Sequence, residues 1–249
     1  MESAADRPLK RRRTPRLARQ DGRNILCEMS LTLYYHPLSS FCQKVLIALY
    51  ENDVEFTRRV IDFGNPADRA ELQAIWPICK FPVVRDHSRK RDLPEATIII
   101  EFLDHFYPGE QRLIPSEWED ALDTRLWDRF CDNYLQLPMQ HIVADRIGGS
   151  KSDLTRERAT LTSAYGLLER RMASRIWISG KAFSLADCAA APALFYASIV
   201  HPFPNELSHV RAYFDRLTQR PSVARVLEEA KPYLAMFPFA DAVPARFRA

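Results

Sequence analysis

The stretch LTLYYHPLSSFCQKVLIALY, Leu31 to Tyr50, decides the fold. It opens as an apolar, β-prone run, passes through His36-Pro37, and continues as an amphipathic segment. The spacing predicts a strand over 31–35 and a helix over 40–52. Cys42, Val45, Leu46, Leu49 and Tyr50 fall at i, i+3, i+4, i+7 and i+8, which gives the helix one apolar face. Two hydroxyls and a thiol sit at the joint: Ser39, Ser40 and Cys42. Cys42 lies on the apolar face and reads as core, because a buried cysteine behaves as a small hydrophobe. A serine at a helix start caps a free amide. It can also donate to an anion held there. Spacing alone leaves open which serine does which.

Working outward, residues 54–61 (VEFTRRVI) read as a second strand. Strand, helix and strand with a short return make a βαβ unit with parallel strands. A helix is expected over 66–75, strands over 82–86 and 91–93, and a helix over 95–106. On the last, Ile99, Phe102, Leu103 and Phe106 again share a face. From Pro115 onward no strand pattern appears. Helices are expected at 117–147, 153–174, 184–200, 206–219 and 221–232, separated by breakers such as GGSKSD (148–153) and HPFPN (201–205). The division is therefore a basic tail (1–29), an α/β domain (30–106), a linker (107–115), an all-α domain (116–235) and a C-terminal tail (236–249).

Of the 249 residues, 47% are hydrophobic and 27% charged, the balance of a soluble globular protein. The net charge of +3 belongs to the tail: residues 1–28 carry eight Arg and Lys against four Asp and Glu, and the remainder carries 27 against 28. A near-neutral body argues against a nucleic-acid-binding surface. The tail, rich in Arg and Pro, is expected to be disordered. A start of translation at Met29 would read equally well. No run of about 18 apolar residues suggests a membrane span, and no secretory signal pattern is present. The five cysteines show no CxxC pair and no metal-ligand spacing, so a cytoplasmic, reduced, metal-free protein is expected.

Two further motifs are candidates for chemistry, and a third is structural. In KFPVV, Pro82 stands at a strand start, and a cis Phe81–Pro82 bond would turn the Phe81 backbone outward toward an extended ligand. In LPEAT, Glu95 opens a helix. It either complements the helix dipole or holds a ligand ammonium while the helix amides hold a carboxylate, a fit for an α-amino acid head group. In FSLADC, Ser184 and Asp187 form a capping-box pattern.

In this order and spacing, these segments resemble the glutathione S-transferase superfamily over about Ser30 to Pro232. HPLSSFCQKVLIAL is similar to the catalytic loop and first helix, WPICKFPVV to the N-P-x-G-K-V-P-V-L segment with its cis proline, PEATIIIEFL to E-S-x-A-I-x-x-Y-L, and FSLADC to the buried capping box. The resemblance is to a serine-type, bacterial-like member. It implies a thioredoxin-like first domain and an all-helical second. It implies glutathione as co-substrate, with Ser39 as the catalytic hydroxyl and Ser40 as its helper or the cap. Lys80, Phe81, Pro82, Glu95, Ala96 and Thr97 would then hold the tripeptide, and Phe130 and Tyr134 would line the pocket for a small electrophile. It further implies a homodimer active in detoxification. Three departures bear on glutathione. Ala96 stands where the family has Ser, which removes a donor to the γ-glutamyl carboxylate. Cys79 stands where it has Gly, and Trp76 where it has Asn, which makes that loop bulkier. The competing expectation is a non-catalytic, protein-binding member of the superfamily.

Overall fold

The computed structural model describes residues 30–248. The expected disordered tail lies outside them. The chain runs β1 (Leu31–Tyr35), α1 (Ser40–Glu51), β2 (Thr57–Val60), α2 (Pro66–Ile75), β3 (Val83–Asp86), β4 (Arg91–Pro94) and α3 (Ala96–Phe106). The sheet order is β2-β1-β3-β4. β1 and β2 are parallel, as a βαβ crossover requires, and the other two pairings are antiparallel. Alternation along β1 sends Leu31, Leu33 and Tyr35 into the main core. Tyr34 points the other way and meets Ile61, Leu72 and Val83 under α2. This is the thioredoxin-like arrangement that the family resemblance implies.

The second domain is all helical: α4 (Trp118–Phe130), α5 (Leu137–Gly148), α6 (Thr155–Met172), α7 (Leu185–Val200), α8 (Ser208–Gln219) and α9 (Pro221–Ala230). The single helix expected over 117–147 is interrupted. Between α4 and α5, Cys131–Gln136 winds as a π-helix, and the Leu137 amide reaches back five residues to the Asp132 carbonyl. Pro138 supplies the reason: it has no N–H to give the Tyr134 carbonyl, and its ring crowds that carbonyl. The wider turn relieves both.

α7 is apolar all round and runs through the middle of the domain. Its start is fixed by Asp187, fully buried. That carboxylate accepts the Ser184 amide (2.9 Å), the Ser184 hydroxyl (2.8 Å), the Ile178 amide (3.0 Å) and the Tyr213 hydroxyl (2.6 Å). After α9 the chain turns back through short 3₁₀ segments. Val243 is buried, and Phe247 packs edge-on against Phe195 at 5.2 Å. One hydrophobic core runs from β1 through α1 to α7, α8 and α9.

Candidate functional site

A cavity of about 620 Å³ opens between the two domains. The first domain contributes Phe41, Trp76, Lys80, Phe81, Pro82 and the start of α3, Glu95 to Ile98. The second contributes one face of α4 and α5, including Arg125, Asp128, Arg129, Asp132, Asn133 and Leu137.

The loop before β3 shapes one wall. Cys79 adopts φ 54°, the left-handed region that glycine enters at no steric cost. The backbone thus keeps a glycine-like turn although the side chain differs. Lys80 is exposed and the Phe81–Pro82 bond is cis. Neither the N–H nor the C=O of Phe81 pairs with the backbone of the sheet, whose ladder begins at Val83. The Phe81 ring is sandwiched by Phe63 (4.7 Å, 10° between planes) and His36 (6.2 Å, 21°). His36 Nδ1 accepts the Leu38 amide at 3.2 Å, so its proton resides on Nε2 when the ring is neutral. Burial lowers its pKa, with the Asp62 charge opposing.

The α3 start forms the second wall. Glu95 precedes the helix rather than opening it. It is the N-cap residue, at φ 70°, and no side chain caps the helix. The amides of Ala96, Thr97 and Ile98 therefore have no intrahelical acceptor and no capping partner. A non-glycine residue at such a φ costs on the order of 1–3 kcal/mol, and backbone of this kind gathers at ligand sites. Ala96 is buried, Glu95 exposed.

Beneath this wall lies a cluster of charges. Lys44 of α1 is 1% exposed, and its Nζ lies 2.6 Å from Asp128 and 2.9 Å from Asp132. It also donates to Thr97 Oγ1 at 2.9 Å. The Thr97 hydroxyl in turn donates to Asp128 Oδ2 at 2.9 Å. Arg129 closes the cluster. Its Nη2 donates to Thr97 Oγ1, to Asp132 Oδ2, and to Asp128 Oδ2 at 2.8 Å. Two cations face two carboxylates, so the charge is balanced where solvent is scarce. Burial raises the pKa of Asp132, opposed by Lys44. Burial also works against the Arg129 charge, but Asp128, Asp132 and Glu95 more than offset it and raise its pKa.

The serines separate. Ser39 is the N-cap of α1, partly exposed, and its Oγ accepts the Cys42 amide at 3.4 Å. Ser40, expected to assist catalysis or cap the helix, is buried and accepts a hydrogen bond from Gln136 Nε2. Neither serine lines the cavity; the neighbouring residue that does is Phe41. Cys42 is fully buried, and its thiol is pushed up to about 12 by burial, which excludes it as a nucleophile.

Phe130 and Tyr134, expected to line the electrophile pocket, face elsewhere. They border a separate groove of about 530 Å³ with Arg156, Ala159 and Leu167 of α6. The cavity takes Arg129, Asn133, Leu137 and Gln140 instead. A shift of one residue turns a helical side chain by about 100°, enough to move these aromatics to the other face.

Lys44, Asp128, Arg129 and Asp132 were not legible as site residues. Their only sequence signal is the i, i+4 spacing of the two aspartates opposite a lysine on an apolar helix face. Physically, the cavity offers an open main-chain edge at Phe81, uncapped amides, a carboxylate at Glu95 and a guanidinium at Arg129. That set suits an extended, peptide-like ligand with a zwitterionic end.

Two family models match the chain. One, "Glutathione S-transferase, N-terminal domain", covers residues 33–111. The other, "Glutathione S-transferase, C-terminal domain", covers residues 152–216. Over 200 residues the chain is 27% identical to "Probable glutathione S-transferase DHAR1, cytosolic" of Oryza sativa subsp. japonica, covering 78% of this chain and 85% of that one. The solved structure of poplar glutathione transferase F1 is similar with a TM-score of 0.70 at 21% identity, over 81% of this chain and 98% of that one. Glutathione transferase URE2P6 of Phanerochaete chrysosporium, solved in complex with oxidized glutathione, is similar with a TM-score of 0.71 at 20% identity, over 81% and 96%. By both matched domains, in order on one fold, the chain belongs to the glutathione S-transferase superfamily.

Proposed function

We propose that the protein is a glutathione S-transferase that holds glutathione as its thiolate for attack on a small electrophile. One observation carries this reading: the unpaired Phe81 backbone and the uncapped α3 start, with Glu95 beside it, border a single cavity. The cysteinyl backbone of glutathione pairs with Phe81 beside Pro82. The γ-glutamyl ammonium meets Glu95, its carboxylate meets the amides of Ala96 and Thr97, and Lys80 meets the glycyl end. Ser39, partly exposed two residues before Phe41, donates to the sulfur, and the N-terminal end of α1 adds in the same sense. Lowering a thiol pKa by about two units takes roughly 2.7 kcal/mol. One hydrogen bond to a charged acceptor contributes about 1.5–3 kcal/mol. The thiolate attacks the electrophilic carbon, the carbon–sulfur bond forms, and the leaving group departs with its electron pair. Of the serine pair, Ser39 alone takes this role, since Ser40 is buried against Gln136.

The proposal includes a serine-type, bacterial-like, cytoplasmic enzyme of detoxification that works as a homodimer. Trp118, Leu122 and Leu126 form an exposed stripe on α4, at i, i+4 and i+8. Ile98 and Phe106 of α3 border a further groove, of about 570 Å³, together with Trp118. These residues make a self-complementary face suited to a two-fold partner.

Glutathione titration followed by tryptophan fluorescence tests the reading, since Trp76 borders the cavity. Saturation at about 1 mM or below, followed by conjugation of an activated aryl halide, supports it. No saturation by tens of millimolar rejects it. The second reading, a non-catalytic binding member, is favoured by Ala96, whose methyl group replaces a donor hydroxyl. It predicts neither saturation nor turnover.

A further inference from the structure

At the uncapped start of α3, the side chains of the first turn offer a carboxylate nothing. Ala96 carries only a methyl group. The Thr97 hydroxyl is committed: its proton goes to Asp128, and its oxygen accepts from Lys44 and Arg129. It cannot replace the missing serine without breaking the buried cluster. Two cations are anchored to this turn through Thr97 Oγ1: Lys44, which is buried and does not border the cavity, and Arg129, which reaches it from α4 and does. Asp128 and Asp132 occupy its Nε and Nη2 groups. Its Nη1 makes no hydrogen bond among the described residues, the side chain is 51% exposed, and it borders the same cavity as Glu95 and the open amides. Its other donors are already held, so the free one is fixed in direction.

We propose that Arg129 recognises the α-carboxylate of the ligand's γ-glutamyl group, doing from the helical domain what a serine at position 96 would do from α3. This rests on the glutathione reading above. Guanidinium and carboxylate make charge-assisted hydrogen bonds, and the two aspartates orient the guanidinium without cancelling its remaining donor. Selectivity for an acidic amino-acid end then lies in two domains, with Glu95 taking the ammonium and Arg129 the carboxylate.

The test pairs a protein change with a ligand change. Glutathione and its analogue amidated at the γ-glutamyl α-carboxyl are titrated into wild type, Arg129→Gln and Arg129→Gln/Ala96→Ser. Wild type is expected to bind the amide about 10- to 100-fold more weakly than glutathione. Arg129→Gln is expected to bind both with similar, weak affinity, and Ala96→Ser to restore preference for the acid. A merely structural role for Arg129 would weaken both ligands and leave their ratio unchanged, and that result overturns the inference. So does equal binding of the two ligands by wild type. If wild type binds no glutathione by tens of millimolar, the functional reading falls and this inference with it. If glutathione binds but the ratio survives in Arg129→Gln, only the role of Arg129 falls. Should Arg129→Gln fail to fold, Arg129→Lys keeps a charge between the aspartates but lacks the second nitrogen. A reduced ratio is expected there, and a ratio equal to wild type overturns the proposal.

Discussion

Ser39 and Ser40 are neighbours in sequence with unlike surroundings. Ser39 faces partly outward, and its hydroxyl accepts a long bond from the Cys42 amide, whereas Ser40 is locked against Gln136. Ser39→Ala is therefore expected to lower the conjugation kcat by about 10- to 100-fold, with glutathione affinity changed by less than about threefold. Steady-state kinetics beside a binding titration check this, and equal losses in both would remove the thiolate role. The division between the serines was not legible in SSFC, because it depends on Gln136, nearly a hundred residues away. Cys42 was legible, since the period that makes α1 also puts its thiol inside. Glu95 was legible as a residue at a helix start. Its positive φ was not, because that conformation is imposed by the turn from β4 into α3. Arg129 was silent for the reason Gln136 was: a charged residue on a long helix has many faces to choose from.

At the scale of elements, the turn from β3 to β4 is held by Asp86, whose side chain is fully buried. Burial acts to raise its pKa, but bonds from the Ser88 and Tyr107 hydroxyls and from the Arg89 amide and guanidinium outweigh it and bring the carboxyl down to about 2. The folded pKa lies below the unfolded one. The contribution is thus complete above pH 4 and is lost as pH falls from about 4 to about 2. It amounts to about 2 kcal/mol. Asp86→Asn is expected to be less stable at neutral pH and to lose less stability over that acid window, as read by urea unfolding at several pH values. The cluster joining α1 to α4 and the π segment calls for a second prediction. Lys44→Met leaves Asp128 and Asp132 with Arg129 alone and is expected to cost on the order of 3 kcal/mol. Replacing Lys44, Asp128 and Asp132 together by Met and Leu is expected to recover most of it. Denaturation midpoints compare the two, and equal losses would mean the ion pairs are not what matters. The succession of strands and helices along the chain and the capping box of α7 were readable, because period and punctuation are local signals. The π segment was not, since Pro138 permits either a kink or a widened turn.

For the molecule as a whole, the exposed stripe of α4 and the neighbouring residues of α3 bear on assembly. Leu126, 61% exposed, sits on that stripe. Leu126→Glu is expected to convert the proposed dimer into a monomer of unchanged helicity, measured by light scattering on a sizing column. A wild type already monomeric at micromolar concentration would remove the dimer from the proposal. The two-domain plan could be read from the change of pattern near Pro115, but the cavity between the domains could not. No local period reports which faces of α4 and α1 will meet. α1 belongs to the sheet by connectivity and to the helical domain by burial, since one core passes through it to α7. Cutting the chain at the linker would bare the flank of α1 that α7 covers, and would strip α7 of its neighbour in turn. The halves are therefore not separable folding units: they gain and lose structure together, and neither can be exchanged among relatives as a module without carrying the matching half of that shared interior.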